Sequence, residues 1–157
     1  MAATVSWPHL ELNRRSALRL ERVLDLLSDG STETAATGGE WSIGVELAHM
    51  SFWDRFVAER WRHARRSNLS TPASVDLTLA DLVNDASVPG WSLIALGDAA
   101  QIALSAANDV DGVIASVPDH AVEALLAVGW TSLLDRSVHR DEHIAALERQ
   151  IGRSEPG

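Results

Sequence analysis

The stretch LIALGDAAQIALSAANDVDGVIASV (residues 93–117) decides the fold class. Within it Leu93, Leu96, Ala100, Ala103, Ala107, Val110, Ile114 and Val117 follow at steps of three and four without a miss. That spacing keeps side chains on one side of a helix of about 3.6 residues per turn. A seam of this length is suited to packing between neighbouring helices.

Working outward, the neighbours are legible on both sides. Pro8 suits a first helical position, and Leu10, Ala17, Leu20, Leu24 and Leu27 recur at helical spacing until Asp29-Gly30 supplies a stop. The Thr-, Ala- and Gly-rich residues 31–40 read as a loop, after which Ser42 can cap a second helix running to about Arg66. Between Ser67 and Gly90, Pro72, Pro89 and clusters of Ser and Asp predict a long crossover with a short helical patch around Leu79, Leu82 and Val83. Leu77, Leu79, Leu82 and Val83 give that crossover something to bury against the helices. Pro118 ends the central helix, and a short stretch carries Leu125 and Leu126. Past Gly129 a fourth helix runs to about Ile151 on Leu133, Ile144, Leu147 and Ile151, and the tail to Gly157 is frayed. The chain therefore reads as one all-α domain over residues 1–157, a four-helix bundle with a long crossover between its second and third helices.

Composition narrows the chemistry. A chain of 157 residues, 46% hydrophobic and 22% charged, can bury roughly two thirds of its unfolded surface and has the balance of an ordinary globular domain. All 13 fixed positive charges are Arg, against 22 Asp and Glu, and the net charge of −9 argues against a nucleic-acid partner, which needs a basic footprint. The absence of cysteine excludes disulfides and thiolate metal sites, so a metal would be held by His and carboxylates. No long apolar run and no leader-like start are visible, which predicts a cytoplasmic protein without a membrane partner. Arg60, Arg62, Arg65 and Arg66 read as a solvated basic end of the second helix. The six Trp read as core and helix-end anchors.

The histidines carry the chemistry. His139 and His143, in His139-Arg140-Asp141-Glu142-His143, lie four apart, roughly 40° round one helix face, and can share one ion. The same pentapeptide fits H-x-x-E-H, but an inverted zinc-peptidase site needs a further carboxylate well downstream, and only residues 144–157 follow. His49 shares a helix face with Val45, Phe52, Trp53 and Phe56 and points inward, where it could bond a carbonyl or Glu46, or join the other two as a third nitrogen ligand. His9, His63 and His120 read as surface or cap residues. Glu46, Asp135 and Glu142 could orient ligand imidazoles, although each taken singly reads as an ordinary exposed helix charge. Arg136 and Arg140 could meet an anionic substrate or pair with acids on their own helix.

Trp41-Ser42, Glu46-Leu47-Ala48-His49, Trp53-Asp54 and the late His139-Arg140-Asp141-Glu142-His143-Ile144 together resemble the DinB/YfiT-like superfamily of metalloenzymes. That superfamily includes the N-terminal domain of mycothiol-dependent maleylpyruvate isomerase and the bacillithiol S-transferases. The resemblance covers nearly the whole chain. It implies a four-helix bundle in which His49, His139 and His143 hold a divalent metal, Zn or Ni by ligand type, with positions left open to water or a low-molecular-weight thiol. It further implies a thiol-dependent S-transferase or isomerase acting on a small molecule. A metal-dependent hydrolase, a non-catalytic metal- or ligand-binding protein and a dimeric interaction bundle stand as alternatives, and the Ala- and Leu-rich faces suit a homodimer. Imidazoles must be neutral to coordinate, so metal release is expected as pH falls below roughly 6.

Overall fold

A computed structural model describes residues 7–28 and 41–153. Among the described residues the chain is helical, with no strand: α1 (Pro8–Ser28), α2 (Ile43–Arg66), α3 (Ala80–Trp91), α4 (Leu96–Ala115), α5 (Asp119–Ala127) and α6 (Ser137–Arg153). The stop at Asp29-Gly30, the loop over residues 31–40 and the tail beyond 153 lie outside the described residues. No described helix is long and apolar enough to cross a membrane.

Local chemistry sets the helix ends. Ser42 Oγ accepts a hydrogen bond from the Val45 N–H at 3.3 Å and caps α2. The far end of α2 closes with Asn68 in the left-handed region (φ 53°) and the Leu69 N–H donating to the Ala64 carbonyl, a Schellman closure. Gly129 (φ 74°) closes α5 in the same way, with the Trp130 N–H donating to the Leu125 carbonyl. The fourth predicted helix therefore does not start directly after Gly129, and Leu133 lies outside it. A single 3-10 turn, Thr131–Leu133, intervenes, and α6 begins at Ser137, whose N–H and hydroxyl both donate to Asp135 Oδ1.

The four long helices pack pairwise: α1 lies against α4 and α6, and α2 against α4 and α6. The α2–α4 contact is the most extensive, because Ala99, Ala103, Ala106 and Ala107, all at most 2% exposed, let the two backbones approach closely. Three apolar clusters result among the described residues, two of them large. One joins Leu20, Leu47, Met50, Ala103, Ile144 and Leu147; the other joins Val57, Trp61, Val110, Ile114, Val122 and Leu133. The indole of Trp61, 2% exposed, donates to the Leu133 carbonyl at 2.9 Å. Trp61→Phe removes that donor and opens a gap, so it is expected to lower the unfolding free energy by about 2 kcal/mol, read from urea midpoints.

Several expectations are corrected by this packing. The buried side of α1 is His9, Asn13, Ser16, Leu20 and Val23, with Leu10, Ala17, Leu24 and Leu27 only flanking it, because polar residues occupy three of the five interior positions. Leu93 lies outside α4 and is 87% exposed. The crossover holds a full helix, α3, which continues through Pro89 to Trp91. The ring of Trp91, packed with Val45, Ala48, Trp41 and Phe52, anchors the last turn that a proline would otherwise weaken. Leu77, Leu79 and Leu82 do not bury against the helices but are 55%, 52% and 65% exposed.

Candidate metal centre

His49 lies two turns into α2, within its most continuously buried run, Val45 to Ser51, while His139 and His143 occupy the first two turns of α6, which packs on α2. One nitrogen from each ring lies within 4.8 Å of the others. The Nε2 atoms of His49 and His139 are 3.1 Å apart. All three residues named from the sequence therefore converge at one point, although they are separated by ninety residues of chain.

The groups behind the rings fix their orientation. His143 Nδ1 donates to Glu46 Oε2 at 2.6 Å, since a carboxylate can only accept, and this leaves the Nε2 lone pair of His143 free. Arg136 donates from its terminal nitrogen to His139 Nδ1 at 3.3 Å, so the His139 proton sits on Nε2, between that ring and His49. Loading an ion on both Nε2 atoms moves this proton away and gives up the Arg136 contact. That contact is the longest one Arg136 makes; the guanidinium keeps Asp54 at 2.9 Å and the Ser132 carbonyl at 3.2 Å. Three neutral nitrogen donors, one of them already backed by a carboxylate, fit a borderline divalent cation such as Zn or Ni.

Electrostatics favours the neutral form of two of the rings, His49 and His139. Burial, then the neighbouring His143 ring, pushes His49 down to about 4. Burial, then the Arg136 charge and the other two rings, pushes His139 down to about 2. The sign for stability follows. The unfolded chain takes up a proton on His49 near pH 6.5 and the folded chain only near pH 4, so between them the unfolded state binds more protons and stability drops as the pH is lowered. Chelator-treated protein is expected to lose roughly 2 kcal/mol between pH 7 and pH 4.5 from His49. Urea titrations of wild type and His49→Phe at both pH values check this, and the variant should lose less.

The cluster opens on a cavity of about 340 Å³. Trp41, Trp53 and Phe56 give it aromatic walls, and Leu77, Ala80 and Asn84 close it from the crossover side. Trp53 Nε1 donates to Asn84 Oδ1 at 2.9 Å, which ties α3 to the wall of the site. The ring of Trp41 lies 4.8 Å from His49 and stacks 6.4 Å from His143.

Other residues singled out in the sequence fall differently. His63 and His120 are exposed, as expected, but His9 is buried at 7% exposure, beside Trp7 and away from the cluster. Glu46 is 8% exposed and is not a surface charge, because it faces α6 and not solvent. Glu142 is exposed, and Asp135 serves the start of α6. Arg136 and Arg140 pair neither with acids of their own helix nor with open solvent: both guanidiniums bond Asp54 of α2, and Arg140 also bonds Asp111 of α4. Arg62, Arg65 and Arg66 bear out a basic helix end with surface partners, whereas Arg60 turns into the cavity. The spacing His49, Trp53, Phe56, Arg60 carried that signal, since these positions share one side of α2. No family model matches the chain, and no curated protein and no solved structure matches it either.

Proposed function

We propose that the chain is a divalent-metal-dependent enzyme of the DinB-like kind, a four-helix bundle of α1, α2, α4 and α6 whose ion is held by His49, His139 and His143. The reaction is thiol-dependent: S-transfer to, or isomerisation of, a small electrophilic substrate in the adjoining cavity. The observation that carries this reading is the convergence of three imidazole nitrogens within 4.8 Å, one backed by Glu46, on a cavity of about 340 Å³.

A bound divalent ion would supply a Lewis acid that lowers the pKa of a thiol and holds the thiolate near neutral pH. The chain has no cysteine, so the sulfur nucleophile must arrive with a small-molecule thiol. In S-transfer the thiol S–H loses its proton to solvent, a sulfur–carbon bond forms and the leaving group departs with its electron pair. In isomerisation the thiolate adds to an activated double bond, the resulting single bond rotates, and the thiolate leaves again. The protein's own contribution is placement. Trp41, Trp53 and Phe56 hold an apolar body and exclude water, and Glu46 and Arg136 set the ring orientations.

The test uses untagged protein, because a histidine tag would add ligands. After dialysis against zinc or nickel the expected content is one ion per chain. The loaded protein should then accelerate loss of cysteine thiol to monochlorobimane, with chloride released, and chelator should abolish the acceleration. Protein that binds neither ion, or that binds one without accelerating thiol loss, removes the enzymatic reading.

A further inference from the structure

Arg60 is a half-enclosed cation without a carboxylate. It is half-buried, its Nε is inaccessible and without a hydrogen-bond partner, and among the described residues no acid forms an ion pair with it. One terminal nitrogen donates to the Ala73 carbonyl at 2.8 Å, and the guanidinium carbon lies 5.8 Å from the centre of the Phe56 ring. Burial alone pushes its pKa below the usual guanidinium value, with no neighbouring anion to offset this. A cation kept partly out of water with its charge unanswered costs free energy that a surface Arg would not, and such a residue is suited to an anion that arrives from outside.

Its position defines what that anion is attached to. His49 and Arg60 are eleven residues apart on α2 (60 − 49), which at about 100° and 1.5 Å per residue puts them about 20° apart round the helix and about 16 Å apart along it. The Arg60 side chain reaches back over Phe56, as helical side chains lean toward the N-terminus, so its charge stands nearer the histidines, at about 10 Å along the axis. Between the two ends the wall is Trp53, Phe56 and Val57. A second cavity of about 320 Å³, lined by Ser74, Val75, Gly129 and Trp130 among others, meets the first at Arg60, Leu77 and Ser132, so the guanidinium stands where the two join.

We propose that Arg60 is an anion-recognition residue and that the cavity takes small organic carboxylates with an apolar body, carboxylate on Arg60 and the opposite end toward His49, His139 and His143. That this ligand is the substrate rests on the metal-dependent reading above; the anion site itself rests on Arg60 and the cavity.

Calorimetric titration of zinc-loaded and chelator-treated protein with hexanoate, hexanamide and acetate tests it. Wild type is expected to bind hexanoate about tenfold or more tightly than hexanamide, its neutral counterpart, and more tightly than acetate, which is too short to fill the wall. The preference should persist in the chelator-treated protein, because it belongs to Arg60 and not to an ion. Arg60→Met should remove it while leaving hexanamide binding in place, and Arg60→Lys should restore part of it. Should Arg60→Met fail to fold, hexylamine in wild type replaces it: the cationic ligand must bind more weakly than hexanamide. Equal binding of hexanoate and hexanamide, no binding of either, a preference that survives in Arg60→Met, or one that needs zinc would each overturn the proposal. A zinc-independent preference in protein that fails to accelerate thiol loss would leave the anion site standing and remove the enzymatic reading alone.

Discussion

Asp54→Ala is expected to destabilise the protein by about 3 to 5 kcal/mol, a large part of the total stability of a domain this size. Asp54 is 1% exposed, and its two oxygens receive the Nε–H groups of Arg136 and Arg140 at 2.9 and 2.7 Å. Arg140 is fully buried and satisfies its remaining donors on Asp111 and on the Asn13 and Ala107 carbonyls. Asn13 completes the layer, accepting from the Arg136 N–H and donating to the Leu134 carbonyl. Two carboxylates balance two guanidiniums, so deleting one carboxylate leaves a positive charge in the interior without a partner, and that desolvation cost dominates over the lost contacts. Urea unfolding at neutral pH checks the figure. Replacing Asp54, Asp111, Arg136 and Arg140 together by Leu, Leu, Met and Met should recover most of the loss, since an apolar layer of similar volume leaves no charge unpaired. A cost below about 1 kcal/mol for Asp54→Ala would mean that water reaches the layer and that the site above it is not held by it.

That layer also marks where sequence reading stopped. The helical spacing of α4 and the His pair of α6 are local patterns, and both were legible: Ala103, Ala107, Val110 and Ile114 are buried, and the three named histidines do meet. The polar layer is encoded across four helices. Asp54 stands on α2 between Met50 and Val57, Arg140 on α6 before Ile144, Asn13 on α1 before Leu20, each at a position where the apolar stripe would place a Leu. Read one helix at a time, a charged residue in a stripe looks like an interruption, and Arg136 and Arg140 look like partners for acids nearby in sequence. Only the opposed signs on two segments, an acid on α2 and bases at and just before the start of α6, carry the pairing. Glu46 was obscured in the same way, because its burial depends on α6 lying over it. Proline chemistry misled in the other direction at Pro89, where the tertiary anchor of Trp91 overrides a local helix-breaking tendency.

The second large effect is expected at His139. If three imidazoles hold the ion, His139→Ala should weaken zinc binding by more than the roughly 10- to 100-fold that Glu46→Gln costs, since the first removes a ligand and the second only the acceptor that orients one. The fold should survive, because His139 belongs to none of the apolar clusters and its loss leaves Asp54, Arg136 and Arg140 paired. Thermal unfolding separates the two quantities. Zinc at about 100 times its dissociation constant should stabilise wild type by about 2.7 kcal/mol, and the same zinc should leave His139→Ala unmoved. The pH at which the ion leaves is a further constraint, and here the structure revises the expectation of release below roughly pH 6. For a ring held down to about 4, as His49 is, or lower, as His139 is, the proton competes weakly with the ion, so two of the three ligands stay neutral well below pH 6. Zinc should therefore remain bound at pH 5.5 and be lost on further acidification. Release centred at pH 6 or above in equilibrium dialysis would overturn this expectation, and equal zinc stoichiometry in wild type and His139→Ala would leave the three-histidine site without a role in binding.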